Sequence, residues 1–139
     1  MPEPLLLDTH AWIWFCAGQQ KSFERRTWTA MERACQRGEC LVSVISVWEL
    51  GMLAAKGRLT LTLSPAEWTK QALDTPGMSL VPLSPEAAIE SSYLPGPFHG
   101  DPADRLLVAT ARHRRARVVT ADERLLDYGQ QKHVNVLAC

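Results

Sequence analysis

Five carboxylates, Asp8, Glu49, Asp101, Asp104 and Asp122, stand just after short apolar runs or at the start of a helical pattern, where a layered fold could collect them at one edge. If four of them approach within about 4–6 Å, each pair repels by a few kcal/mol at an effective dielectric of ~20. No lysine stands beside any of them in the sequence, so the positive partner must come from elsewhere. Hard oxygen ligands without His or Cys companions select Mg2+ or Mn2+ over zinc. Such an ion lowers the pKa of a bound water and neutralises charge on a phosphate oxygen, which is the chemistry of phosphodiester hydrolysis.

Each acid also has a structural reading. Glu49 completes a capping box with Ser46, Thr120 and Glu123 form another, and Asp101 is a competent N-cap. Asp104, in a first helical turn, complements the helix dipole by ~0.3–1 kcal/mol. Asp8 is the hardest to explain structurally, since it directly follows a buried leucine run and only a helix starting at Thr9 could use it as a cap.

The elements that must position these acids alternate in type. Pro4-Leu5-Leu6-Leu7 is too short for a helix and reads as a buried strand, followed by a short helix from Thr9 to Cys16 that stops before Gly18. Residues 22–37 carry a helical stripe with Ser22 as cap and Gly38 past the end. Cys40–Val44 is a second strand, and a helix opens at Ser46 and closes before Gly57. The alternating run 58–63 is predicted to pair weakly or simply extend. Ser64-Pro65 and Ser84-Pro85 open helices through about Leu73 and Leu94, on either side of a strand over 79–83. The stretch 94–100, with two prolines and two glycines, is a loop. Beyond it come a long helix from Asp101 ending in Arg112, Arg114 and Arg115, a strand over 117–120, a helix over 121–128 and a last strand over 134–137. Strands alternating with helices imply a three-layer α/β/α sandwich around a central, mostly parallel sheet of four to five strands. The functional crevice of such a sheet lies outside the carboxyl ends of its strands, where the strand order reverses. Asp8, Glu49, Asp104 and Asp122 are all placed there.

Four segments, LLLDTHAWIW, SVISVWELGML, HGDPADRLLVATA and VVTAD, in this order across residues 5–122, resemble the PIN-domain ribonucleases, most closely the VapC-type toxins of type II toxin–antitoxin systems. The resemblance implies an acidic quartet of Asp8, Glu49, Asp104 and Asp122 that binds Mg2+ or Mn2+ and cuts RNA, tRNA or rRNA in particular. Asp104 takes the family's third position because of its DxxxxATA arrangement, which leaves Asp101 a cap or auxiliary residue. Thr120 resembles the small hydroxyl residue that the family places two before the last acid. Asp8 and Asp104 are expected to hold the metal directly and Glu49 and Asp122 to complete its shell. Water is then the nucleophile, leaving a 5′-phosphate and a 3′-hydroxyl. The resemblance further implies a VapB-type antitoxin as partner and a homodimer. Arg112, Arg114, Arg115, Arg117 and His10, with His99, Lys21, Arg25 and Arg26, are candidate RNA contacts; the arginine run also suits a solvated helix end.

Composition sets the remaining bounds. The 139 residues fit one domain, and 46% hydrophobic with 22% charged residues describes a globular chain. Fifteen basic residues balance fifteen acidic ones, so only the distribution of charge can speak for a nucleic-acid partner. No basic leader precedes the first apolar stretch and no run reaches the ~20 residues of a membrane span, so a cytoplasmic protein is expected, with its four cysteines reduced. The five tryptophans suit partner surfaces, but Trp12, Trp14 and Trp48 lie beside buried segments and are expected in the core. His10 stands where haloacid-dehalogenase-type phosphatases need a second Asp, receiver-type acidic pairs are missing, and no glycine-rich phosphate loop is present. A PIN-like module that binds without cutting is the rival from outside enzymology. It has no reason to keep four mutually repelling acids.

Overall fold

The computed structural model describes residues 2–139. Five short strands, β1 (Leu5–Leu7), β2 (Cys40–Ser43), β3 (Met78–Val81), β4 (Arg117–Thr120) and β5 (Asn135–Ala138), form one sheet in the order β3-β2-β1-β4-β5. Every pairing is parallel; Leu6, for example, faces Leu41 of β2 on one side and Val118 of β4 on the other. Such strands read as continuous apolar runs because both sheet faces are covered. Leu5 and Leu7 point into one core with Trp12, Met31 and Leu50, while Leu6 points into a second with Val108, Leu125 and Tyr128. The predicted three-layer sandwich is the observed architecture.

The helices are α1 (Thr9–Cys16), α2 (Arg25–Gln36), α3 (Val44–Ala55), α4 (Pro65–Leu73), α5 (Pro85–Glu90), α6 (Pro102–Arg114) and α7 (Glu123–Gln130). Several edges differ from expectation. Ser22 closes a single 3-10 turn, and α2 begins three residues later behind Glu24, which makes no side-chain cap bond. α3 is capped by Ser43, whose hydroxyl accepts from the Ile45 amide, so Ser46 and Glu49 form no capping box. α7 is capped by Asp122 rather than Thr120. α5 stops at Glu90, short of Leu94; residues 58–63 do not pair, in line with the second of the two readings offered for them. Trp12 is fully buried and Trp14 half-buried, but Trp48 is 59% exposed, contrary to its expected place in the core. α3 is apolar around most of its circumference, so tertiary packing decides which side stays outside.

The strand order reverses about β1. The chain builds β1, β2 and β3 outward, then returns through α6 to lay β4 on the free side of β1. The carboxyl ends of β1 and β4 therefore flank the position where open parallel sheets form ligand crevices.

Candidate active site

Asp8 follows β1 directly and caps α1: its Oδ1 accepts from the Ala11 amide at 2.9 Å. Its Oδ2 accepts from the Thr120 hydroxyl, at the end of β4, at 2.5 Å. The same Thr120 oxygen accepts from the Asp122 amide at 3.0 Å, so one buried hydroxyl ties together the two strand ends that carry Asp8 and Asp122. Asp122 then accepts from the Arg124 and Leu125 amides at the start of α7. Glu49 reaches the cleft from the second turn of α3, where the buried Thr9 hydroxyl donates to its Oε1 at 2.5 Å. The Thr9 oxygen also lies 3.0 Å from the Ser46 hydroxyl, and this contact replaces the expected capping box.

Asp104 comes from the first turn of α6, behind Asp101, which caps that helix by accepting from the Ala103 amide at 3.0 Å. The 94–100 loop is pinned to the same helix by Arg105, which donates to the carbonyls of Ser91, Phe98 and His99. His99 is thereby brought against Asp104, with Nε2 3.2 Å from Oδ2. The angle does not make a hydrogen bond, and this buried nitrogen has no other partner among the described residues. Burial, reinforced by the Arg124 charge, lowers the His99 pKa, so the contact is not an ion pair near neutral pH.

All four predicted acids line one cleft of about 450 Å³, together with Asp101, Thr9, His10, Trp14 and Arg124. Its charge is lopsided, with five carboxylates facing a single guanidinium. Burial raises the Asp104 pKa to about 7, helped by the charges of Asp101, Asp122 and Glu49. Burial also raises Asp8, against the hydrogen bonds from Thr120 and Ala11. At Asp122 burial is outweighed by the Leu125 and Arg124 amides and the Arg124 guanidinium, and the carboxyl falls below its ordinary range.

The donors fit a hard divalent cation: they are all carboxylate oxygens, they converge from four separate segments, and they carry more negative charge than the cleft neutralises. Among the described residues no three His, Cys, Asp or Glu side chains are already drawn in around one point as a finished metal cage. The fit is therefore one of donor type and charge.

The expected arginine contacts lie elsewhere. Arg112, Arg114 and Arg115 sit at the far end of α6, about 15 Å from Asp104 at 1.5 Å per residue, and Arg117 starts β4 at the opposite edge of the sheet. Arg112 is bound to Glu90 and to the His133 carbonyl, and Arg117 to the Val136 carbonyl. Of the predicted contacts, His10 does line the cleft. Sequence reasoning missed Arg124 and Thr9. Each stands within two residues of a predicted acid, a signal that was available.

The fold and the site together define a class, parallel α/β proteins with a cluster of acids at the topological switch of the sheet. Comparison with known proteins narrows it. The PIN domain family model matches residues 5–130. The chain is 34% identical to Ribonuclease VapC22 of Mycobacterium tuberculosis (strain ATCC 25618 / H37Rv) over 132 residues, covering 95% of this chain and 97% of that protein. Among solved structures it is similar to VapBC2 from Rickettsia felis bound to a DNA fragment from their promoter, with a TM-score of 0.71, 14% identity and coverage of 96% and 97%. It is also similar to FitAcB from Neisseria gonorrhoeae, with a TM-score of 0.63, 19% identity and coverage of 96% of each chain. The chain belongs to the PIN-domain family, among its VapC-type ribonucleases.

Proposed function

We propose that this chain is an endoribonuclease that cuts RNA by divalent-metal-assisted phosphodiester hydrolysis and acts as the toxin of a VapBC-type toxin–antitoxin pair. The observation that carries the chemistry is the convergence of Asp8, Glu49, Asp104 and Asp122 on one cleft with a single guanidinium opposite them. The relative at 34% identity, a ribonuclease by name, supports RNA as the substrate.

Asp8 and Asp104 would hold Mg2+ or Mn2+, with Glu49 and Asp122 completing the shell. When bound, the ion supplies a Lewis acid for the scissile phosphate and makes a water acidic enough to attack it. The residues of the chain prepare the site. Thr120 and the Ala11 amide fix the Asp8 carboxylate, Thr9 fixes Glu49, and the α7 amides fix Asp122, so three of the four ligands are oriented in advance. Arg124 makes only one long contact, 3.5 Å to Asp122, and is 59% exposed, so its fork remains available to a phosphate oxygen. A small VapB-type antitoxin and a second copy of this chain are the proposed protein partners. Exposed Trp48, Ile89 (66%) and Tyr93 (78%) offer apolar surface for them.

The test is incubation of the purified chain with a pool of tRNA and rRNA, with and without Mn2+, and mapping of new 5′ ends. Cleavage only with metal, leaving 5′-phosphates and lost in Asp8→Asn, is expected. Metal-independent cutting, or full activity in Asp8→Asn, overturns the mechanism. Binding of RNA without any cutting would favour a non-catalytic module.

A further inference from the structure

Charge in this chain is balanced in total and separated in space. The carboxyl edge of the sheet carries the acidic cleft. At the amino edge two clefts, of about 720 and 840 Å³, meet at Glu3. Arg117 of β4, which stands opposite Leu5 of β1 and Asn135 of β5, marks that edge. Eight of the fifteen lysines and arginines line these two clefts against the lining acids Glu3 and Glu90; Arg25 and Arg26 stand at the far end of the second cleft, where the start of α2 meets the carboxyl end of β5, and the other six lie towards the amino edge. α6, about 20 Å long at 1.5 Å per residue, runs from one edge to the other, with Asp104 in its first turn and Arg112 in its last.

Part of this charge is structural. Arg112 is bound to Glu90, Arg117 to the Val136 carbonyl, Arg26 to Glu24 and Arg37 to Glu39. Arg25, Arg33, Arg115 and Lys132 are exposed and have no ion pair among the described residues.

The backbone adds an independent observation. Arg115 (φ 53°) and Lys132 (φ 64°) are the non-glycine residues with positive φ among the described residues, while five glycines occupy the other such positions. Both residues line the same basic cleft. Glycine would relieve the steric penalty at either site. Both residues close a helix: Arg115 is the left-handed cap of α6 and Lys132 follows the cap of α7, so each of these two helix ends sets a cation at this cleft.

We infer that the amino edge is a second RNA-backbone surface, which holds phosphates of the substrate well away from the scissile one. This rests on the ribonuclease reading. With one guanidinium among five carboxylates the cleft itself offers a polyanion little long-range attraction, and a basic face supplies it. A strand held in the cleft is also tethered near the basic edge, which makes the second contact effectively intramolecular. An RNA that uses both must reach round the domain along α6. The substrate class is therefore an extended or folded RNA, as opposed to a short single strand bearing only the cut site.

The test uses the double variant Arg115→Gly/Lys132→Gly, whose substitutions suit the backbone, so a melting temperature equal to or above the parent's is expected. RNA binding is read on the full chain carrying Asp8→Asn, in EDTA, with a tRNA pool across a salt series. Affinity should fall about tenfold, and the log–log salt slope should shrink by about 1.5 for two lost phosphate contacts. With Asp8 intact and Mn2+ present, the rise in KM on tRNA should exceed that on a short oligonucleotide spanning the mapped cut site by about tenfold. Unchanged affinity and slope, or equal losses on long and short RNA, would overturn the inference, as would polyglutamate competing as well as RNA. A parent chain that binds tRNA through these residues yet cuts nothing with metal defeats the ribonuclease reading alone. One that cuts while the double variant binds as tightly defeats this inference alone.

Discussion

Replacing Asp104 with asparagine should separate catalysis from stability, in opposite directions. With no metal bound, the Asp104 carboxyl is buried beside Asp101, Asp122 and Glu49, and its pKa is raised from 3.8 to about 7. The folded state therefore holds this proton more tightly than the unfolded chain does. That contribution to stability is complete below about pH 4 and is lost as pH rises through about 7. The full difference corresponds to about 4 kcal/mol above pH 7, at 1.36 kcal/mol per pH unit. The side chain keeps 17% exposure and water screens its neighbours, so about 1.5–3 kcal/mol is expected. Asparagine keeps the shape and never ionises. In EDTA, urea denaturation should find Asp104→Asn and the parent nearly equal at pH 4.5 and the variant more stable by that amount at pH 8. Mn2+ at a hundred times the parent's Kd should stabilise the parent by about 2.7 kcal/mol and the variant, with one ligand fewer, by less, so the gap should narrow or reverse. RNA cleavage by the variant should be lost. A variant no more stable than the parent at pH 8 in EDTA, or a gap that does not change with pH, would refute the electrostatic reading of this cleft.

Three further substitutions test the scaffold of the site. Thr120→Val removes the hydroxyl that serves both Asp8 and Asp122; cleavage should drop about 10–100-fold and stability by about 1–3 kcal/mol in urea titrations, while Thr120→Ser should retain most of both. Arg105→Met cuts three hydrogen bonds that hold residues 91–99 to α6; it should cost about 2–3 kcal/mol and raise amide exchange across 94–100, and Arg105→Lys should not rescue, because an ammonium lacks the fork. Gly77→Ala places a Cβ 1.7 Å from the Cys35 carbonyl oxygen at φ +82°, so thermal melts should show a loss of about 3 kcal/mol or more, with the chain's chemistry untouched in whatever fraction folds.

What the sequence disclosed and what it hid divide by the range of the interaction. β1, β2 and β4 were readable because strands buried on both faces are continuous apolar runs, and α6 because Asp101-Pro102 is a strong local start. The four acids were readable because each lies one to six residues beyond a strand or in the first turn of a helix. Contacts across the sheet were hidden. The Thr9–Glu49 bond joins residues forty apart, and the Ser46-x-x-Glu49 spacing imitates a capping box while Ser43 caps the helix. The exposure of Trp48 was hidden for a related reason, since on a helix apolar all round only the neighbours decide which face is left out.

Charge shows the same limit most clearly. A net charge of zero excludes nothing, because a neutral total is also what a strongly polar molecule gives: acids at one end of α6, arginines at the other. Read along the chain, the arginines from 112 to 117 stand beside Asp104 and Asp122 and look like part of one site. Eight residues of helix from Asp104 to Arg112, and eleven to Arg115, set them about 12–16 Å apart. A cation that far away, several Debye lengths at high salt and nearly two at 0.15 M, does little to neutralise the cleft, which leaves that role to Arg124, to the proton on Asp104 and to the divalent cation proposed above. The same distance leaves the arginines free to attract a polyanion without binding the acids themselves, which is why the two charges can serve one substrate from opposite edges.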